Sequence, residues 1–251
     1  MNRYQDENWQ QEEQRRREAY YRMNSQNSNT PDALEQIFRG PLNWMNLLMI
    51  GINVVIFIIM EFLGSTEDTG FMLQWGAACR PPILNGEWYR LFTSMFLHFG
   101  IEHLLNNMLV LFVLGSRLEQ VIGKIKFLLI YLIGGVLGNV ISLLIELRTQ
   151  DFAVSAGASG AVFAVMGAMI YIVIRNKGWL GDLSMRQILV MAAFSLYFGF
   201  ASTGVDNTAH VGGMVSGFFL AVIFIILEEK YKRKYLLSEC FLHIVYPGGL
   251  Q

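Results

Sequence analysis

Charged residues are scarce in this chain, and their scarcity indicates the class of protein. Asp, Glu, Lys and Arg make up 16% of the 251 residues, against roughly 25% in a typical soluble domain. Hydrophobic residues make up 53%, and several runs approach the length of about 20 residues that crosses a bilayer as a helix. The net charge of −1 offers nucleic acid no electrostatic attraction. We therefore predict an integral membrane protein that contacts the lipid bilayer and no nucleic acid.

Some motifs of membrane enzymes are also missing. No H-E-x-x-H sequence occurs, so a zinc protease is not supported. Gly181-Asp182 resembles part of an aspartyl protease motif, but no second Asp lies in a membrane segment. We expect neither a metal ion nor an organic cofactor. Residues 1–30 are polar and contain no apolar run, so no secretory signal is expected there.

Six membrane segments can be placed on the chain, and they predict an all-α bundle. They cover residues 44–63, 101–115, 125–147, 157–174, 188–201 and 209–227. This gives a six-helix core over residues 44–227, a polar cytoplasmic arm over 1–43 and a cytoplasmic tail over 228–251. The connector over 64–100 contains an aromatic, half-apolar stretch suited to the membrane interface, so we expect it to be membrane-embedded.

Lysine and arginine predict the orientation, because positive charge marks the cytoplasmic side of a membrane protein. On one side lie Arg117, Lys124, Lys126, Arg175, Lys177, Arg186, Lys230, Lys232, Arg233 and Lys234. The other side carries only Arg80, Arg90 and Arg148. We therefore expect a multi-pass protein of the cell membrane with both termini in the cytoplasm. Cys79 and Cys240, the two cysteines, then lie on opposite sides and cannot form a disulfide.

Polar residues lie near the starts of segments 2, 4 and 6, which all run from outside to inside. They are His103 and Asn107, Ser159, and His210. His103 and Asn107 are four residues apart and share one face of a helix. Such groups are tolerated in a membrane when they face the bundle interior or a water-filled cavity. The three segments therefore bring unusual groups to a similar depth.

Small residues on segments 4 and 6 predict close packing of these two helices. Gly213-x-x-x-Gly217 lets helix backbones approach, and Gly160 belongs to a small face on segment 4. Close contact would bring the imidazole of His210 to the hydroxyl of Ser159, placing a nucleophile beside a general base. No Asp or Glu lies near His210 in its own helix, which favours a Ser–His dyad without a third carboxylate.

Stabilisation of a developing oxyanion is the other requirement of acyl transfer. Ser159 begins a helix, so its backbone N–H and the positive end of the helix dipole are available. The side chains of His103 and Asn107 can donate to the same oxygen.

Packing alone is the alternative explanation of Ser159, and His98 is better interpreted as interfacial or structural than as catalytic. A transporter is disfavoured because Glu61 and Glu146 lie at segment ends.

On these residues the chain resembles the rhomboid intramembrane serine proteases over residues 44–227. The resemblance rests on Gly157-Ala158-Ser159-Gly160, His103-x-x-x-Asn107 and Ala209-His210-x-x-Gly213-x-x-x-Gly217. It implies hydrolysis of peptide bonds in or near transmembrane helices of membrane protein substrates. Ser159 would be the nucleophile and His210 the base, with an oxyanion hole formed by the Ser159 N–H, His103 and Asn107. The alternative is a catalytically inactive relative that binds membrane helices.

Two positions differ from the family pattern. The connector resembles the family's first loop with its Trp-Arg pair, but here Tyr89 stands between Trp88 and Arg90. Some members have a tyrosine against the catalytic histidine, four positions after the serine, where this chain has Phe163. Phenylalanine keeps the ring and loses the hydroxyl, so no catalysis by that hydroxyl is expected.

Overall fold

Helices dominate the computed structural model, which describes residues 43–149, 153–180, 183–201 and 204–245. The predicted N-terminal arm therefore lies outside the described residues except for Asn43, as do the last six residues of the predicted tail. In chain order the helices are α1 (Trp44–Leu63), α2 (Thr69–Gln74), α3 (Arg80–Leu84), α4 (Arg90–Thr93), α5 (Gly100–Val110), α6 (Ser116–Ile122), α7 (Lys124–Thr149), α8 (Ser159–Arg175), α9 (Met185–Ala201) and α10 (Asn207–Val245).

Two irregular helical turns and a short hairpin complete the described secondary structure. A 3₁₀ turn at Ser94–Phe96 follows α4, and a π-helical turn at Leu111–Gly115 joins α5 to α6. Strands β1 (Trp179–Leu180) and β2 (Leu183–Ser184) pair antiparallel between α8 and α9. This two-residue ribbon is the one departure from all-α structure within the described ranges.

Three helices in the described part of the chain are long and apolar enough to cross a bilayer: Trp44–Leu63, Lys124–Arg148 and Asn207–Tyr231. A fourth span results if Arg90–Phe96 and Gly100–Ile122, which meet at 90°, count as one broken span. The apolar parts of α8 and α9 are shorter. The protein is thus a mostly helical, multi-pass membrane protein with three or four candidate spans, and the count of six stays a prediction.

Helix α8 lies at the centre of the described bundle, packed against α7 and α10. Every residue from Gly160 to Met169 is buried, because the flanking helices cover this part of α8 on all sides. Such a helix must be apolar all round. Ion pairs between Lys126 and Glu228 and between Arg175 and Glu229 tie α7 and α8 to α10 at the end opposite Ser159.

The connector between α1 and α5 is organised around the buried guanidinium of Arg90. Its Nη1 donates to the carbonyl oxygens of Leu73 (2.7 Å) and Ala77 (3.0 Å). Its Nη2 lies 2.6 Å from the carboxylate of Glu87. A hydrogen bond from the Tyr89 hydroxyl, together with Arg90, lowers the pKa of Glu87. Charged hydrogen bonds of this kind are the stronger class, so Arg90 holds successive turns of the connector together.

Trp88, in contrast, leaves 56% of its surface exposed. Polar contacts join the connector to α7 instead: Asn139 Nδ2 donates to the Leu91 carbonyl (2.8 Å) and to Ser94 Oγ (3.1 Å). The connector is therefore fixed against the bundle on the side where Ser159 lies.

Candidate active site

Ser159 is the first residue of α8, and the segment before it is fixed by backbone hydrogen bonds to distant parts of the chain. Ser155 forms an isolated antiparallel bridge with Ala78 of the connector. The Gly157 N–H donates to the Ser94 carbonyl (2.9 Å), and the Ala156 N–H donates to the Gly204 carbonyl (3.2 Å). Two separate loops thus determine where α8 begins.

Gly157 allows this segment to approach α5 closely. A Cβ atom at Gly157 would lie 2.7 Å from Cε1 and 2.9 Å from Nε2 of His103. Its φ of +153° is also rarely adopted by residues with side chains. Glycine is therefore required for the ring of His103 to lie against the residues that precede Ser159.

His210 lies in the first turn of α10 and faces Ser159. Asp206 caps this helix, because its Oδ1 accepts a hydrogen bond from the Ala209 N–H at 2.9 Å. The Nε2 atom of His210 lies 2.6 Å from the Oγ atom of Ser159. With the ring proton on Nδ1, Nε2 accepts a hydrogen bond from the Ser159 hydroxyl. The structure therefore brings together the two residues predicted as nucleophile and base.

Phe163 supports the imidazole of His210 from one side. The two rings are stacked, with centroids 4.4 Å apart and planes 8° from parallel. His210 is 2% exposed, and its Nδ1 has no hydrogen-bond partner among the described residues. Among the described residues, no carboxylate accepts a hydrogen bond from Nδ1 of His210. The stacked ring of Phe163 restricts the orientation of the imidazole instead.

His103 and Asn107 lie on the face of α5 that is turned toward Ser159. The Nδ1 of His103 and the Nδ2 of Asn107 are buried and have no hydrogen-bond partner in the described structure. Buried polar groups are nearly always paired, so unpaired ones beside a cavity are available to a ligand. The predicted oxyanion residues therefore lie on the same cavity as the dyad.

The cavity has a volume of about 230 Å³ and is bounded by α5, α8, α9 and α10. Its lining residues are Glu102, His103, Asn106, Asn107, Val110, Ser159, Val162, Phe163, Ser195, Val205 and His210. The lining combines the polar side chains of α5, Ser159, Ser195 and His210 with the apolar side chains of Val110, Val162, Phe163 and Val205. A cleft that combines apolar walls with a few convergent polar groups is the usual form of a binding site.

The predicted glycine positions lie at the contact between α8 and α10. A Cβ atom at Gly213 would lie 3.0 Å from the carbonyl carbon of Gly160 and closer still to its oxygen. At Gly217, a Cβ atom would lie 2.6 Å from the Cα of Ala164. The two backbones are therefore in direct contact, one turn from His210.

His98, which was predicted to be interfacial or structural, lies beside this site without lining the cavity. It is fully buried, and its Nε2 accepts a hydrogen bond from the Ala158 N–H at 3.3 Å. Its ring meets the ring of His103 edge to face, with centroids 5.3 Å apart. The spacing of His98 and His103, five residues across the Phe99-Gly100 turn, gave no periodic signal for this contact.

In the described residues, no group of three or more His, Cys, Asp or Glu side chains is arranged to hold a metal ion. The groups with predicted catalytic roles are the hydroxyl of Ser159, the imidazoles of His103 and His210, the amide of Asn107 and the N-terminus of α8. These groups can activate a nucleophile and stabilise an oxyanion.

Comparisons with known proteins agree on one family. The sequence profile described as the rhomboid domain matches residues 85–227. Rhomboid protease GluP of Bacillus subtilis (strain 168) is 34% identical over 214 residues, which are 85% of this chain and 41% of GluP. Rhomboid protease AarA of Providencia stuartii is 29% identical over 211 residues, 75% of each chain.

A plant protein is also similar to this chain. RHOMBOID-like protein 6, mitochondrial, of Arabidopsis thaliana is 38% identical over 174 residues, which cover 67% of this chain and 54% of that protein. The chain thus spans about two fifths of GluP and about half of the Arabidopsis protein.

Proposed function

Because the chain belongs to the rhomboid family, we propose that it is an intramembrane serine protease that cuts membrane proteins in or beside their transmembrane helices. The observation that carries this proposal is the 2.6 Å distance between Ser159 Oγ and His210 Nε2 on the wall of a cavity. The names of GluP and AarA describe proteases. Ser159 is proposed as the nucleophile and His210 as the general base.

The proposed reaction follows from the positions of these groups. His210 Nε2 takes the proton of the Ser159 hydroxyl while Oγ attacks the carbonyl carbon of the scissile peptide bond. The carbonyl oxygen becomes an oxyanion that accepts hydrogen bonds from the Ser159 N–H, Asn107 Nδ2 and His103. The proton on His210 then passes to the leaving amine, which departs and leaves an acyl-enzyme. Water, activated by His210, hydrolyses that ester and regenerates Ser159.

His210 is proposed to work without a third catalytic residue. The stacked ring of Phe163 holds the imidazole plane, while the hydrogen bond to Ser159 defines its rotation. A carboxylate behind Nδ1 would also stabilise the imidazolium, and the described residues supply none there. The dyad therefore depends on packing for its geometry.

The membrane arrangement is proposed from the charge distribution and the depth of the site. Six spans, with both termini in the cytoplasm, would place the starts of α5, α8 and α10 toward the outer face of the cell membrane. A peptide bond in a regular helix is shielded by its own hydrogen bonds, so the substrate must unwind before Ser159 can attack. Substrates should therefore carry Gly, Pro or other small residues near the outer end of their membrane helix.

The experiment that tests the proposed function is cleavage of a reconstituted transmembrane substrate by the wild type and three variants. Ser159→Ala, His210→Ala and the double variant should each lose nearly all activity, with no additive loss in the double variant, because a dyad acts as a unit. Ser216→Ala is a matched control, since Ser216 is a buried serine of α10 that does not line the cavity.

The outcome distinguishes the two functions that the family allows. If Ser159→Ala retains near-normal cleavage, the dyad is refuted. If neither the wild type nor Ser159→Ala cuts the substrate while the wild type still binds the substrate helix, the protein is instead an inactive helix-binding relative.

A further inference from the structure

Glu102 is a charged residue at an unusual place in α5. It precedes His103 and is exposed, whereas the neighbouring Leu104 is buried. One stripe of the helix, formed by Ile101, Leu105 and Leu109, is apolar and between 52% and 64% exposed, as expected of a surface in contact with lipid. Glu102 and Asn106 lie between this stripe and the stripe that faces Ser159.

Both residues line the cavity of the proposed active site. Glu102 is the one ionisable residue of its lining other than His103 and His210, and the lining contains no Lys or Arg. In the described structure, no hydrogen bond or ion pair involves the Glu102 carboxylate. An ionisable side chain on a membrane helix is costly, so it is found mainly where it faces water or serves a function.

Stabilisation of α5 is the simpler explanation of this carboxylate. Glu102 lies in the first turn of the helix, where an acidic side chain interacts favourably with the helix dipole. That role would affect stability alone. It would not affect which substrates react, and this difference makes the two explanations separable.

We propose that Glu102 is a specificity-determining residue that selects substrates carrying Lys or Arg close to the scissile bond and disfavours Asp or Glu there. The inference rests on the proposed protease function, because it assigns the charge preference of the same cavity. The lining residues that lie outside α5, α8 and α10 are Ser195 of α9 and Val205, and neither can neutralise a charge. A cationic side chain would thus meet one unpaired carboxylate, and an anionic one would be repelled.

The size of the cavity sets the expected effect. A sphere of about 230 Å³ is about 8 Å across, and opposite charges at that separation attract appreciably when water is partly excluded. We expect about a tenfold change in kcat/KM for each unit of charge introduced at the responsive substrate position. Replacing Lys by Glu there should change kcat/KM by about a hundredfold.

The experiment scans charge through a cleavable transmembrane substrate. Lys, Gln or Glu is placed in turn at each of the four positions on either side of the cut, and kcat/KM is measured with the wild type, Glu102→Gln and Glu102→Lys. Comparing enzymes on the same substrate removes the effect of the substituted residue on substrate insertion. Glu67→Gln is the matched control, because Glu67 is an exposed acid of the connector that does not line the cavity.

The proposal requires at least one substrate position at which the wild type prefers Lys over Glu. That preference should disappear in Glu102→Gln, reverse in Glu102→Lys and persist in Glu67→Gln. A wild type that cuts substrates but has the same charge preference as Glu102→Gln would overturn this inference and leave the protease intact. A wild type that cuts no substrate and whose Ser159 does not react with a fluorophosphonate would overturn the proposed function, and this inference with it.

Discussion

Replacing Gly213 by alanine should separate α8 from α10 and disrupt the proposed dyad from one helical turn away. The added Cβ would lie 3.0 Å from the carbonyl carbon of Gly160 and nearer to its oxygen, so the backbones must move apart by about 1 Å to restore ordinary contact. Overpacking of this kind costs about 1–3 kcal/mol. For a protein of this size that lowers the midpoint of thermal unfolding by roughly 3–10 °C.

Activity should fall further than stability. The Ser159–His210 distance of 2.6 Å spans the same helix contact, so a separation of about 1 Å takes it beyond hydrogen-bond range. A misplacement of that size can cost about a hundredfold in rate. The assay is thermal unfolding in detergent together with kcat/KM on a transmembrane substrate, measured below the unfolding range of every variant.

Gly51→Ala provides the matched control. Gly51 is also a helix glycine, but no atom lies within 4 Å of an added Cβ. This variant should keep full activity and gain up to about 1 kcal/mol, since alanine is the better helix former. If Gly213→Ala behaves like Gly51→Ala in both assays, the close contact of α8 and α10 does not support the site.

Three further predictions test the groups around the dyad. Asn107→Ala should lower kcat by roughly 10²–10³-fold with little change in KM, and a change confined to KM would make Asn107 a substrate-binding or packing residue. His98→Ala should lower kcat because it leaves the Ala158 N–H without an acceptor. His98→Gln, which offers an amide oxygen, should restore part of the lost kcat. Equal losses of kcat in both variants would exclude a positioning role for His98. Arg90→Lys should lower the free energy of unfolding by about 1–3 kcal/mol through loss of the contacts to Leu73 and Ala77, and an unchanged unfolding midpoint would contradict this account of the connector.

Periodicity and composition predicted the long helices well, because an apolar run long enough to span a bilayer has few other structures available. The predicted segment 125–147 is observed as Lys124–Thr149, and the segment 44–63 as Trp44–Leu63. The segment 209–227 is part of a helix that continues to Val245. The charged stretch 228–234 (EEKYKRK) interrupts the apolar run, so the continuation of the helix beyond it was not predicted. The boundary of the predicted tail at residue 228 stays a prediction.

Local irregularities were not predictable from the chain alone. The second segment, predicted over 101–115, is observed as α5, a π-helical turn and α6, reaching Ile122. A π-helical turn has no composition that marks it, and polar residues in the segment obscured its length. The shortness of α8 follows from its burial, because a helix covered on all sides need not match the bilayer thickness.

The candidate site was more accessible to sequence reasoning than the fold around it. Serine, histidine and asparagine are rare enough in membrane segments that their spacing predicted the contact between Ser159 and His210, and the roles of these residues stay proposals. His98 was predicted to be interfacial or structural, but its partner was not identified, because Ala158 lies 60 residues away and the contact uses a backbone N–H. Glu102, whose role is a proposal, was not singled out in the sequence because a charge at a helix start has an ordinary explanation.

Mass spectrometry of the intact protein after reaction with a fluorophosphonate is the most direct test of an activated Ser159. Such reagents react with a serine whose hydroxyl is activated by a neighbouring base. We expect one adduct per chain, located on Ser159, absent in Ser159→Ala, formed much more slowly in His210→Ala and unchanged in Ser216→Ala. An unlabelled wild-type protein, or labelling that persists in His210→Ala at the wild-type rate, would contradict the Ser159–His210 dyad.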